Sequence, residues 1–167
     1  MTLEEFNVLL PQQMMEALFE CCSSRRWAGE VAGAAPFDSL EALHETARTR
    51  WLEADEKDWL EGFSGHPRIG DLEALRNRFA TTATAEQGQV ASAEEEVLTR
   101  LKTGNDQYMH QNGFIFIVFA TGKSAAEMLA LLEERLTHSR ETELVIAAGE
   151  QAEITALRLE KLVEEGL

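Results

Sequence analysis

Gly113-Phe114-Ile115-Phe116-Ile117-Val118-Phe119-Ala120-Thr121-Gly122 is the one stretch of this chain with strand composition, and its reading decides the fold. Aromatic and β-branched side chains suit a pleated backbone. A strand also needs partners for its N–H and C=O groups, and this run is short and isolated. It is therefore read as a buried helical turn or an extended crossing, not as part of a sheet. Its apolar part, Phe114 to Ala120, is far shorter than the roughly 20 residues that span a bilayer.

Helix signals lie on both sides of it. Downstream, Ser124 to about Leu136 and Glu141 to Glu165 read as two helices, the last closed by Gly166. Upstream, Glu94 to about Gln111 places Val97, Leu98, Leu101 and Tyr108 at helical spacing. Ala80 to Ala93 is rich in Thr and Ala and less regular, and Asp71 caps a helix through Leu72, Leu75 and Phe79. Asp38 or Ser39 opens a long helix with the stripe Leu40, Leu43, Ala47 and Trp51. A shorter one runs to about Phe63. Between Ser23 and Asp38 the pattern breaks, and Gly29, Gly33 and Pro36 mark a loop. Arg25-Arg26-Trp27 is assigned to structure or surface behind a helix end. Pro11 suits the first turn of a helix carrying Met14, Met15, Leu18, Phe19 and Cys22, and Thr2 with Glu5 forms a capping box. No repeat or linker interrupts the series. The expectation is a single all-α domain over residues 1–167, a bundle of about eight or nine helices.

Thirty acidic against fifteen basic residues give a net charge of -15. Such a field repels nucleic acid and anionic membranes, so neither is expected as a partner. An anionic substrate would need local Arg or His. Cys21 and Cys22 are adjacent, which strains a disulfide, and no Cys-x-x-Cys spacing exists. Two reduced, buried thiols are expected. His44, His66, His110 and His138 are scattered without metal-ligand spacing, and no nucleophile elbow or phosphate loop is present. No metal is expected.

Three positions are candidates for chemistry. His66-Pro67-Arg68-Ile69-Gly70 makes a stiff corner between helices, with Pro67 restricting His66 to extended geometry. Taken alone, these residues read as a connecting turn; the functional alternative is proton transfer by the imidazole. Glu86-Gln87 near a helix start reads first as capping, with general acid/base work as the alternative. Arg158 falls among Ile154, Leu157 and Leu162 on the apolar side of the last helix. It needs an internal carboxylate, an escape to solvent, or a ligand carboxylate to clamp.

In their order along the chain these pieces resemble the OHCU decarboxylase family, whose substrate is 2-oxo-4-hydroxy-4-carboxy-5-ureidoimidazoline. The resemblance rests on Phe19-x-x-Cys22-x-Ser24-x-Arg26-Trp27, His66-Pro67-Arg68-Ile69-Gly70 and Glu86-Gln87. It continues through Asn105-x-x-Tyr108, Gly113-Phe114-x-Phe116-Ile117, and Arg158 within Ile154-x-x-Leu157-Arg158-Leu159. It implies an all-α, cofactor-free and metal-free lyase, typically a homodimer, forming (S)-allantoin and CO2 in urate degradation. It also implies roles: His66 as catalytic histidine, Glu86 as active-site carboxylate and Arg158 as substrate-binding arginine. Pro67, the stretch Ala83, Thr84, Ala85 and Gln87, and the stretch Phe116, Ile117, Val118, Phe119 and Ala120 would line the substrate. Two positions depart from the family. Ala83 stands where a serine is common, so its hydroxyl contact is lost or passes to Thr82, Thr84 or water. Asn112 precedes Gly113 where Phe-Gly-Phe is usual.

The implied substrate carries a carboxylate and a hydroxyl on one carbon beside a C=N bond, which is its own electron sink. The expected mechanism has His66 exchange a proton with the hydroxyl, supported by Glu86, while Arg158 holds substrate oxygens. Backbone groups of residues 116–120 grip the flat ring and ureido edges. The C-terminus does not resemble a peroxisomal address, so a cytoplasmic setting is expected. A non-catalytic helical protein binding an acidic ligand or partner helix is the competing reading. An acid/base enzyme acting on another ureide is a third.

Overall fold

Short polar side chains start most of the helices. Thr2, Ser24, Ser39, Asp55 and Ser124 each accept a hydrogen bond from the backbone N–H three residues on, satisfying a donor that has no partner inside the helix. At Thr2 the Glu5 carboxylate returns a bond to the Thr2 N–H at 2.8 Å, which completes the capping box. The structure is a computed structural model that describes residues 1–66, 72–78 and 88–164. Among the described residues it contains α1 Leu3–Asn7, α2 Pro11–Cys21, α3 Arg25–Gly33, α4 Leu40–Leu52 and α5 Glu56–Ser64. These are followed by α6 Leu72–Arg78, α7 Gly88–Asn112, α8 Ala125–Arg135 and α9 Arg140–Leu162, with no strand. The fold is all-α. No described helix is long and apolar enough to cross a membrane.

The strand-like run is neither a strand nor a helical turn. Residues 115–120 form no regular secondary structure, and Phe114 and Ile117 are buried.

Three expectations are corrected. The supposed loop between Ser23 and Asp38 contains α3, because Ser24 caps it and Trp27, Ala28 and Val31 bury one face. Arg25 and Arg26 therefore open a helix, at the end where the dipole disfavours cations. Arg26 is met there by Glu30 at 3.2 Å, Asp58 at 3.4 Å and Asp55 at 3.6 Å. Second, α7 begins at Gly88, inside the stretch read as less regular. Third, Met15 and Phe19 do not join the core with Met14 and Leu18. They line a groove of about 800 Å³ open to solvent. The predicted Asp71 cap and the Gly166 stop lie outside the described residues.

The chain divides into two compact units: Met1–His66, Ile117–Phe119 and Leu144–Leu167 form the first, and Pro67–Phe116 and Ala120–Glu143 the second. The first is built around buried Phe6, Leu18, Trp27, Leu43, Trp51 and Phe63. Each such side chain contributes about 1.5–3 kcal/mol by leaving water. Tryptophan N–H groups tie its helices together. Trp27 donates to Ala47 O, Trp51 to Ala148 O and Trp59 to Trp51 O, each at 2.8 Å. Gly62 lets α5 approach closely, since a Cβ there would lie 2.6 Å from the Trp51 ring.

In the second unit α7 and α8 meet at Gly104, where a Cβ would lie 2.7 Å from Leu132. Its core also holds charge. Glu143 is wholly buried and accepts from Tyr108 Oη at 2.6 Å and Arg135 Nε at 2.7 Å. His138 Nδ1 approaches its other oxygen at 2.8 Å. Burial and the neighbouring carboxylate push the Tyr108 hydroxyl's pKa upward, so it stays protonated and donates.

Candidate active site

His66 follows directly on α5, its N–H bonded to Phe63 O at 3.2 Å. Gly65 permits this close turn, because a Cβ at that position would run into the Ser23 side chain. The imidazole is half-buried, and its Nε2 is hydrogen-bonded to Gln151 Oε1. Burial pushes its pKa below the usual histidine value. The bond to Gln151 opposes that shift, and the positive charge of Arg158 adds to it. A neutral imidazole results at neutral pH, the form that can take a proton.

Gln151 itself is fully buried on α9 and donates from Nε2 to Thr155 Oγ1 at 3.0 Å. One turn further along α9, Arg158 is half-buried and donates from Nη1 to Cys21 O at 3.2 Å. That carbonyl belongs to the last residue of α2. Among the described residues no carboxylate forms a salt bridge with Arg158. Of the three readings open to it, the internal ion pair finds no support among the described residues, and the guanidinium lies within the electrostatic reach of His66. Both cysteines are reduced and buried, as expected. Desolvation raises the Cys21 thiol to about 11 and Cys22 to about 12.

His66 and Arg158 therefore come together in the first unit, which also contains Ile117, Val118 and Phe119. Phe116 and Ala120 belong to the second unit, where the Phe116 ring packs at 5.4 Å on Tyr108 and lies 4.6 Å below the Arg135 guanidinium. Pro67, Ala83, Thr84, Ala85, Glu86 and Gln87 lie outside the described residues. Among the described residues no three His, Cys, Asp or Glu side chains gather as a metal site.

The sequence reading missed Gln151 and Thr155. Both stand on the buried face of α9, seven and three residues before Arg158, so the helical wheel that exposed Arg158 could have exposed them too.

A protein-family model for OHCU decarboxylase matches residues 7–160, nearly the whole chain. The chain belongs to that family. It is 39% identical over 149 residues to the Arabidopsis thaliana uric acid degradation bifunctional protein TTL. That match covers 87% of this chain but 46% of TTL, so the chain spans about half the length of that relative. It is 27% identical over 164 residues to a 2-oxo-4-hydroxy-4-carboxy-5-ureidoimidazoline decarboxylase of Halalkalicoccus jeotgali, covering 97% of this chain and 92% of that protein. Among solved structures, an OHCU decarboxylase crystallised in the presence of (S)-allantoin superposes with a TM-score of 0.69 at 38% identity. It covers 86% of this chain and 94% of that one.

Proposed function

We propose that this chain decarboxylates 2-oxo-4-hydroxy-4-carboxy-5-ureidoimidazoline to (S)-allantoin and CO2, with His66 as the proton-transfer residue. The observation that carries the reading is the pairing of a neutral, half-buried His66 with an Arg158 that no described carboxylate neutralises. Family membership supplies the substrate. The match over residues 7–160 runs through both compact units, which supports residues 1–167 acting as one domain.

The chemistry follows from the substrate. The bond from ring carbon to carboxylate breaks, and its electron pair moves into the adjacent C=N bond. The hydroxyl loses its proton to His66 and becomes a carbonyl, while the neighbouring ring carbon and the former C=N nitrogen each gain a proton. Net, a carboxylate anion leaves as neutral CO2 and one proton is taken up. Because the C=N bond accepts the electrons, the step calls for no resident cofactor or metal. The protein holds the carboxylate across the plane of the conjugated system and manages protons.

In this reading Arg158 binds substrate oxygens through its planar fork, whose geometry matches a carboxylate. Backbone groups of Phe116, Ile117, Val118, Phe119 and Ala120 hold the ring and ureido edges. Glu86 supports His66, Pro67 aims it, and Ala83, Thr84, Ala85 and Gln87 line the substrate; these roles rest on the family resemblance. A homodimeric, cytoplasmic lyase completes the reading on the same basis. The test is to generate the substrate in situ from urate with uricase and hydroxyisourate hydrolase, add the protein, and follow allantoin by circular dichroism. Rapid formation of the S enantiomer supports the reading. Decay at the spontaneous rate supports a non-catalytic binding protein instead.

A further inference from the structure

The geometry points to Gln151 as the positioning residue that fixes the tautomer of His66, holding the proton on Nε2 and leaving Nδ1 as the basic nitrogen. This rests on the decarboxylase reading only for its use in catalysis; the tautomer itself can be measured without substrate.

A direction runs through the hydrogen bonds. Gln151 Nε2 donates to Thr155 Oγ1 at 3.0 Å, so the hydroxyl oxygen is the acceptor of this pair. The amide is thereby oriented with Oε1 toward His66, where it meets Nε2. An amide oxygen can only accept, so a neutral His66 must carry its hydrogen on Nε2. The opposite tautomer would set two lone pairs against each other at a side chain wholly shielded from water, where an unsatisfied polar atom costs about 1–3 kcal/mol. Nδ1 then bears the lone pair, and it is the nitrogen able to accept the substrate hydroxyl's proton. After that transfer Nε2–H still donates to Gln151, so the imidazolium keeps its partner.

Neutral glutamine suits this place better than a carboxylate would. Glutamate at the same distance would hold the imidazole protonated and remove the base. Gln151 thus orients the ring without charging it, while the nearby Arg158 cation further disfavours the protonated ring.

The test is long-range 15N–1H correlation of the histidine side chains at pH 7.5, with the His66 signals assigned by their loss in His66→Asn. In the wild type, Nε2 should carry the proton and Nδ1 should appear as an unprotonated ring nitrogen. Finding the proton on Nδ1 overturns the inference, whatever the enzyme's activity. In Gln151→Leu the ring should become a mixture of tautomers, and an unchanged single Nε2–H form would show that Gln151 does not set it. Gln151→Glu should keep Nε2–H and raise the His66 titration midpoint by about one unit or more, with the acidic limb of the kcat profile moving alike. An unmoved midpoint overturns the contact. A wild type that shows the tautomer but no turnover leaves the Gln151 assignment standing and removes the decarboxylase reading alone.

Discussion

Glu143 and Arg135 form an ion pair sealed inside the second unit, 2.7 Å apart, with side chains 0% and 6% exposed. Tyr108 shares the same carboxylate oxygen, and the Arg135 guanidinium covers the Phe116 ring. Replacing Glu143 by alanine strips a buried carboxylate from both donors. Breaking a buried pair in this way costs about 3–5 kcal/mol, so Glu143→Ala should lose that much in urea denaturation. Tyr108→Phe removes one hydrogen bond to a charged group and should cost less, about 1.5–3 kcal/mol. A Glu143→Ala protein within about 1 kcal/mol of wild type would show that the cluster is not held as described.

Two glycines in helices of the first unit should respond to alanine with opposite signs. Helix propensity favours Gly→Ala by about 0.8–1 kcal/mol. At Gly149 a Cβ meets nothing within 4 Å, so Gly149→Ala should be neutral or stabilising by up to that amount. At Gly62 the same Cβ would lie 2.6 Å from the rigid Trp51 ring. Overpacking of this kind costs about 1–3 kcal/mol and should outweigh propensity, so Gly62→Ala should melt at a lower temperature.

The adjacent cysteines should be chemically quiet. Burial lifts the thiols to about 11 and about 12, and the thiolate is the reactive form. Alkylation by iodoacetamide at pH 8 should proceed about 100-fold more slowly in the folded protein than in urea. Equal rates would mean that Cys21 and Cys22 are accessible and not desolvated.

The depressed pKa of His66 makes a signed prediction for stability. Between its folded and unfolded values the unfolded chain binds the extra proton, so stability rises with pH. The neutral ring's contribution is complete above the ordinary histidine value and is lost as pH falls through the folded one. Urea denaturation should therefore weaken more steeply from pH 7.5 to pH 5.5 in the wild type than in His66→Asn. Parallel curves would place His66 in an ordinary aqueous setting.

Four helix starts were legible from local signals. Thr2, Pro11, Ser39 and Ser124 each mark an observed helix, because a cap needs only the next few residues. Ser24 carries the same signal, but Gly29 and Gly33 obscured it. What holds α3 is tertiary, including the Trp27 indole bonded to Ala47 O on α4. Arg158 stood out as a charge on an apolar face, whereas Gln151, more deeply buried, drew no notice because an amide raises no alarm. Its partner His66 is 85 residues distant in sequence, a pairing no periodicity announces. Glu143 likewise reads as an acidic residue in a first helical turn until Arg135 and Tyr108 are seen around it. The roles of Glu86, Pro67 and Ala83 to Gln87 come from family resemblance, and these residues lie outside the described ones.

Decarboxylation through His66 is decided by the initial rate of (S)-allantoin formation from substrate generated in situ, wild type against His66→Asn. A positioned general acid/base contributes about 10²–10⁴-fold, so the variant should be slower by that factor while the wild type runs well ahead of spontaneous decay. A His66→Asn protein that forms (S)-allantoin at close to the wild-type rate would exclude His66 as the proton-transfer residue.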